Sequence, residues 1–518
     1  MKTYNLNNTK INILILLLTH ILAHYFTFER ISYGADTFSD YLRYLSSKDL
    51  KIIDYFIISP DRPINFIFLH FQNLILFDND TLSLISLIIS TFLIVISSYI
   101  IIFQITKSRE FAFLCAIIYD LIPIKSEIFH NIVFLNINFV TCIYLISIIS
   151  FLQYLHTRNK LYSFISLILY SLAIFWYEIG YFIPIFYISY LIITKVNIRN
   201  HLFFFISLTV IAISYLIFRY FDLIFYTQNQ ESHSINFENN RSFYDIINFV
   251  LGKYYFKYVY YGLYQFIKTS IFLKIFLLIF NFIIAFLIYI KIKNIAFLSK
   301  VNKNFYIFFL LLFFIFIIPI ILNGSAAGRH FIIPTITISF FTIILINVIF
   351  KKYKNFVVTF FIFSFLFVAQ GNCIIQTNSM KIEKDLINYI KENKTEISDA
   401  EFILFDAKSY MLNLEYTLVK NPNNFFNTYF GYQMFEEWGI RSLINIYLEN
   451  YKYNLDKRIV YSVGEINNLD NDVIEYKTIE LKNYGKYEII QNKSKTENYF
   501  IINFEKVYSN SNRKFKTK

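Results

Sequence analysis

Long apolar runs alternate with short polar segments along the first 375 residues of the chain. Eleven of these runs have the length a helix needs to cross the hydrocarbon core of a bilayer, roughly 17 to 25 residues or somewhat less where the ends are ragged. They lie at residues 11–28, 81–104, 111–123, 132–154, 161–177, 180–194, 201–218, 271–290, 305–322, 331–350 and 355–371. The pattern predicts an all-α polytopic membrane domain over residues 1–375.

Two further apolar segments are not counted as spans. Residues 63–77 (PINFIFLHFQNLILF) are apolar enough, but counting them would place the later basic connectors outside the cell. We therefore predict that they lie at the outer membrane–water interface, or re-enter the membrane without crossing it, within a large outer loop at 29–80. Residues 243–268, in a second large outer loop at 219–270, combine aromatic residues with spaced lysines and predict an interfacial helix.

The pattern changes after residue 375. Residues 381–396 and 433–450 are helix-like, and they alternate with short strand-like runs. These runs are EFILF (401–405), RIVYSV (458–463) and YFIINF (499–504). With a cytoplasmic N-terminus and eleven spans, residues 376–518 emerge outside, where we expect a small soluble α/β or α+β domain.

Composition and charge support this division. The chain is 56% hydrophobic and 16% charged, with a mean hydropathy of +0.47, which excludes a soluble globular protein. Residues 376–518 carry 20 basic and 20 acidic side chains, so the net charge of +12 belongs to residues 1–375. The connectors that would face the cytoplasm hold 15 Lys/Arg in 46 residues, against 12 in 120 for the outer ones. This bias predicts a multi-pass protein of the inner (plasma) membrane and explains the basic charge without nucleic acid.

Ionisable side chains at the outer ends of the spans are candidates for function, because charge is costly near the bilayer. They are Asp36, Asp40, Glu127, Glu178, Lys274, Arg329 and His330. Acidic side chains at this position could act as a general base or bind a divalent metal, and basic side chains could bind a phosphate. Four of them also have a structural alternative: Asp40 as a solvated loop charge, Glu178 as an ion-pair partner, Arg329 as an interface anchor and Lys274 as a snorkelling side chain. Asp36 is the hardest to explain in that way. His70 and His130 are interpreted equally as interfacial hydrogen-bonding residues or as catalytic ones.

Several motifs together resemble the GT-C-type membrane glycosyltransferases, which include protein O-mannosyltransferases and aminoarabinose-type lipid transferases of bacteria. The motifs are ISYGADTFSDY (31–41), DRPINFIFLHF (61–71), IIYDLIPIKSEIF (117–129), LAIFWYEIGYFIP (172–184) and AAGRHFIIP (326–334). The resemblance covers roughly residues 10 to 350. It implies Asp36 as the catalytic base, Glu127 and Glu178 as supporting acids, Arg62 with Pro63 as loop architecture, and Arg329 as a phosphate contact.

The resemblance also implies the substrates. The donor would be a sugar on a polyprenyl phosphate, and a hexosyl or pentosyl group would pass to an envelope glycan, lipid or protein. Arg62, Lys274, Arg329 and His330 would bind substrate. Metal dependence stays open: Asp36 stands between Ala and Thr rather than in a paired acidic motif, and it is the candidate ligand if Mg²⁺ or Mn²⁺ is used.

Other functions stay open at this point. A glycan polymerase of the O-antigen type would share the membrane, the outer active face and the polyprenyl-linked substrate. A lipid or glycan transporter would need charged residues within spans and helices broken by Gly or Pro, and both are rare in this sequence. A non-enzymatic envelope scaffold would not need the outer acids.

Overall fold

The computed structural model divides the chain into two compact units: residues 1–28, 50–130 and 134–374, and residues 29–49, 131–133 and 375–518. The residues that it describes are 6–28, 41–42, 44–45, 63–77, 79–130, 132–226, 255–292, 304–322, 331–400, 402–406, 437–447, 458–462, 467–470, 473–483, 486–495 and 499–503.

The first unit is built from helices. They are α1 (Leu6–His24), α2 (Pro63–Leu76), α3 (Asp80–Thr106), α4 (Arg109–Leu121), α5 (Ser126–His130), α6 (Leu135–Thr157), α7 (Lys160–Ile174), α8 (Ile183–Ile193), α9 (Leu202–Tyr226), α10 (Lys257–Lys268), α11 (Ile271–Ile292), α12 (Asn304–Leu322), α13 (Pro334–Ile349) and the first part of α14 (Lys354–Glu392). Short 3₁₀ turns lie at Pro123–Lys125, Ile132–Phe134, Glu178–Gly180 and Ile198–His201.

Polar connector residues begin several of these helices. The side chains of Asn79, Ser108 and Asn159 each accept a hydrogen bond from a backbone N–H in the first turn of α3, α4 and α7. Such N-caps satisfy amides that the helix itself leaves unpaired. The helices therefore begin where the apolar pattern follows a short polar residue.

Every one of the eleven predicted runs falls on a helix, although the bounds differ by a few residues. The largest difference is at α14, which continues to Glu392 where the apolar run ends at residue 371. Its later residues keep buried side chains at helical spacing, as at Leu386, Ile387 and Ile390, so the helix continues as an amphipathic one.

The length and composition of the helices indicate a membrane protein. Among the described residues, five helices are long and apolar enough to cross a membrane, and further apolar helices are shorter. Large side chains are also exposed on α9 and α11, where Phe203 is 81% and Phe272 83% accessible. Exposed apolar surface of this kind belongs in lipid. The chain is thus a helical membrane protein, and the number of eleven spans stays a prediction.

Basic connectors meet at one end of the first unit. Lys107 Nζ, after α3, donates to His156 Nε2 near the end of α6 at 2.6 Å. Arg158 Nη1 lies 3.0 Å from His201 Nε2, and His201 Nδ1 lies 2.9 Å from the Tyr154 hydroxyl. Because an arginine can only donate, His201 Nε2 accepts and Nδ1 carries the proton. Three connectors that are predicted to share one side of the membrane therefore lie close together. They are residues 105–110, 155–160 and 195–200.

A glycine contact joins α10 to α14. A Cβ atom placed on Gly371 would lie 1.8 Å from the backbone oxygen of Gly262, and one placed on Gly262 would lie 2.5 Å from that of Val368. Asn372 Nδ2 also donates to the Tyr258 carbonyl oxygen at 3.2 Å. The two backbones approach this closely because neither glycine has a side chain.

The second unit contains strands and helices. The strands are β1 (Phe402–Asp406), β2 (Arg458–Ser462), β3 (Asn467–Asp470), β4 (Val473–Asn483), β5 (Lys486–Lys495) and β6 (Tyr499–Asn503). β1 pairs in parallel with β2 and β6, while β4 pairs antiparallel with β3 and β5. Helices α15 (Lys394–Asp399) and α16 (Glu437–Tyr447) also lie in this region. β1, β2 and β6 fall on the three strand-like runs, and the extracytoplasmic location of this region stays a prediction.

Candidate functional site

Most of the residues predicted for the site carry no described side chain. Asp36, Arg62, Arg329 and His330 lie outside the described residues. For Glu127, in α5, and Glu178, in the 3₁₀ turn Glu178–Gly180, the backbone is described and the side chain is not. Lys274 is partly exposed in the first turn of α11.

The structure brings together the segments that carry the predicted acids. Phe68 of α2 contacts both Phe139 at the start of α6 and Trp176 in the turn before Glu178, with ring centroids 5.4 and 4.8 Å apart. Asn136 Nδ2 donates to Asn65 Oδ1 at 2.7 Å. The helix that starts directly after Arg62 therefore packs against the first turns of α6, which follow the Glu127 connector, and against Trp176, two residues before Glu178.

The end of α1 joins the same region. The Tyr25 hydroxyl donates to the backbone oxygen of Phe129 at 2.6 Å, and Thr27 Oγ1 lies 3.2 Å from Cys373 Sγ of α14. The residues that follow α1, up to Phe28, thus lie at the end of the unit where the Glu127 connector lies. This end of the bundle is opposite the basic connectors, because α3 and α6 run between the two ends.

Behind this end lies a buried polar cluster formed by α1 and α4. His20 and His24 stand four residues apart on α1, which places them on one face of the helix. His20 Nδ1 lies 2.8 Å from Asp120 Oδ1, and His24 Nε2 lies 3.4 Å from the same oxygen. All three side chains are at most 2% exposed. We call these three residues the His–His–Asp cluster.

Lys125 lies beside the cluster. Its Nζ donates to the backbone oxygen of Asp120 at 2.8 Å and stands 4.6 and 4.4 Å from the ring centroids of Tyr119 and Phe129. Burial lowers the pKa of Lys125 to about 7, although the charge of Asp120 acts in the opposite direction. Lys125 therefore contacts the peptide carbonyl of Asp120, while the carboxylate faces the histidines.

Several buried polar atoms around the cluster have no hydrogen-bond partner within the described residues. They are His24 Nδ1, Asp120 Oδ2 and both ring nitrogens of His130. Burial, followed by the nearby histidines and Lys125, lowers the pKa of His130 well below its ordinary value, so its ring is neutral. His130 is fully buried. Buried polar groups without partners are rare and call for a ligand, an ion or a water molecule.

This cluster was not predicted from the sequence. Asp120 stands within the motif IIYDLIPIKSEIF, and His20 and His24 stand within the first apolar run. The available signal was an ionisable residue inside an apolar segment. Its partners could not be read from the sequence, since the residues that meet are about 100 positions apart.

No protein-family model matches the chain, and no curated protein matches it. The function is therefore argued from the residues and their geometry.

Proposed function

We propose that the chain is a membrane glycosyltransferase that moves a sugar from a polyprenyl-phosphate donor to an envelope acceptor on the extracytoplasmic face. The observation that supports this proposal is the packing of α2 against the first turns of α6, which follow the Glu127 connector, and against Trp176, two residues before Glu178. Segments far apart in sequence, each with a predicted site residue or next to one, meet at one end of a bundle of apolar helices. The opposite end carries the basic connectors that the charge rule assigns to the cytoplasm.

The proposed reaction is a direct displacement at the anomeric carbon. Asp36 removes the proton of an acceptor hydroxyl, whose oxygen forms a bond to the anomeric carbon. The bond from that carbon to the phosphate oxygen breaks, and the polyprenyl phosphate leaves with the electron pair. Lys274 and Arg329 stabilise the charge that grows on the phosphate, which favours the transition state over the ground state. The product has the inverted configuration.

Asp36→Asn tests the role of the base. The amide keeps the size and hydrogen bonding of the carboxylate but is not basic, so sugar transfer should fall about 100-fold. The measurement is transfer from a purified polyprenyl-phosphate sugar by protein in liposomes, with Asp40→Asn as the matched control that keeps its activity. If Asp36→Asn transfers sugar as well as the wild type, Asp36 is not the base, and Glu127 and Glu178 become the candidates.

A lipid or glycan transporter is the second candidate, and the His–His–Asp cluster favours it. Ionisable residues buried between apolar helices are typical of proton relays in transporters. The same liposomes separate the two functions. A transferase forms a new glycosidic bond, whereas a transporter carries the intact donor across the bilayer. Movement of donor without any new bond would contradict the transferase proposal.

A further inference from the structure

The geometry points to a divalent transition-metal site, of the kind that binds Zn²⁺, formed by His20, His24 and Asp120. This site is separate from the Mg²⁺ or Mn²⁺ that Asp36 would bind, and it does not depend on the proposed function.

The spacing of the three ligand atoms fits a metal ion. Each residue offers one atom, and the three atoms lie within 4.8 Å of one another. Zinc–nitrogen bonds of about 2.0–2.1 Å in a tetrahedron place neighbouring ligand atoms roughly 3.3 Å apart. Asp120 Oδ1 lies 2.8 Å from His20 Nδ1 and 3.4 Å from His24 Nε2. The first distance is shorter than the tetrahedral value and the second is slightly longer. Small side-chain movements would therefore complete the site.

The hydrogen bonds around His20 leave one ring nitrogen for the carboxylate side. The Thr91 hydroxyl donates to the Leu87 carbonyl oxygen at 2.7 Å, and the Tyr25 hydroxyl donates to the Phe129 carbonyl oxygen at 2.6 Å. With both hydroxyl protons used, His20 Nε2 donates to Thr91 Oγ1, 3.0 Å away. His20 Nδ1, 2.8 Å from Asp120 Oδ1, is therefore the nitrogen that would bind a metal ion, in place of a proton shared with the carboxylate.

Thr91 also acts as the outer partner that a metal-bound histidine requires. Histidine ligands usually donate their second ring N–H to a neighbouring oxygen, which fixes the ring. On the other side, His24 Nε2 donates to the Asp120 carbonyl oxygen at 3.1 Å and would give up that hydrogen bond and its proton to bind a metal. The oxygen stays satisfied, because it also accepts from Lys125 Nζ at 2.8 Å.

The charge of Asp120 leads to the same conclusion. Its Oδ2 has no partner within the described residues, and Lys125 contacts its backbone oxygen rather than its carboxylate. A buried carboxylate needs a cation or several hydrogen bonds. A divalent ion supplies that charge. A water molecule would supply the fourth ligand. His130, whose ring is centred 5.4 Å from that of His24, has two ring nitrogens without a partner within the described residues and is a nearby hydrogen-bond partner for such a water.

The ligand set selects the type of metal. Two imidazoles and one carboxylate suit zinc and its neighbours in the first transition row. Magnesium and calcium bind through oxygen and would leave the imidazoles unused.

The test measures metal in the full-length protein, purified in detergent with a tag that contains no histidine. Elemental analysis should find about one transition-metal ion per chain. After stripping with a chelator, added Co²⁺ should give the visible absorption of a tetrahedral ion. His24→Asn and Asp120→Asn should each bind the metal at least about tenfold more weakly. His156→Gln, at the opposite end of the bundle, is the matched control and should bind as the wild type does.

A stability measurement covers variants that fold poorly. Zn²⁺ should raise the melting temperature of the stripped wild type and of His156→Gln, and leave that of His24→Asn unchanged. Wild-type protein that contains no metal and takes up neither Zn²⁺ nor Co²⁺ would overturn the proposal, and the cluster would then be an imidazolium–carboxylate network. Full metal binding by both His24→Asn and Asp120→Asn would overturn it equally.

Discussion

Three basic residues hold a left-handed backbone conformation at a helix end, two of them directly after the last helical residue and Lys195 one residue later. Lys107, Arg158 and Lys195 have φ angles of 58°, 60° and 55°, and each follows a helix that ends in a predicted cytoplasmic connector. Glycine is the residue most often found at this position, because a Cβ atom is strained there. The chain places a positive charge at all three. These residues thus combine a helix stop with the charge that orients a membrane protein and complements the end of the helix dipole.

Lys195→Gly should stabilise the protein by up to about 1 kcal/mol, because glycine adopts the left-handed conformation without strain. Lys160→Gly is the matched control. It removes the same side chain from the first turn of α7, where φ is negative, and should stabilise nothing. The measurement is the melting temperature of the purified protein in detergent. A lower melting temperature for Lys195→Gly would show that contacts of the lysine outweigh the backbone strain.

At the scale of single elements, hydrophobic patterning predicted well where a helix is and less well where it ends. The apolar run 355–371 predicted the membrane part of α14, and the helix-like stretch 381–396 predicted most of its continuation to Glu392, but not that the two form one helix. Hydropathy detects transfer into lipid, whereas an amphipathic continuation depends on what the helix packs against. The run 63–77 does form a helix, α2, whose contacts with Phe139 and Trp176 could not be read from its own sequence.

The crossing of α10 and α14 gives a prediction at this scale. Gly371→Ala places a methyl group where the Gly262 backbone lies, so the two helices must separate. We expect a loss of about 1–3 kcal/mol, which exceeds the gain in helix propensity of roughly 1 kcal/mol. Ser364→Ala, at a partly exposed position of the same helix, should leave the melting temperature nearly unchanged. Equal stability of both variants would mean that α10 does not pack on Gly371.

At the scale of the whole molecule, the sequence predicted the helical membrane class and the clustering of basic connectors. Both predictions follow from the apolar periodicity and the loop charges, which do not depend on which helices pack together. The His–His–Asp cluster does depend on which helices pack together. His20 and Asp120 meet only because α1 packs against α4, and a single sequence carries no record of such pairing.

Cysteine labelling tests the predicted orientation. Single cysteines introduced next to Asp36, next to Ser325 and in residues 376–518 should react with an impermeant reagent from outside the cell. Cysteines next to Lys107 and Lys352 should react only after the membrane is opened. The expected pattern follows from the excess of basic residues in alternate connectors. A C-terminal region labelled only from the cytoplasm would mean that a span has been miscounted, and α2 is the first one to examine.

The long separation between the two halves of the cluster has a consequence for biosynthesis. At translation rates of about 5–20 residues per second, α1 leaves the ribosome roughly 5–20 s before Asp120, which lies 100 residues after His20. During that interval its histidines can remain uncharged in the bilayer. The carboxylate of Asp120 is different, because a lone charge in lipid costs several kcal/mol. Helix α4 is short and carries that carboxylate in its last turn, so it needs α1 as a docking site. The first helix to be made therefore acts as an intramolecular chaperone for the insertion of a later one.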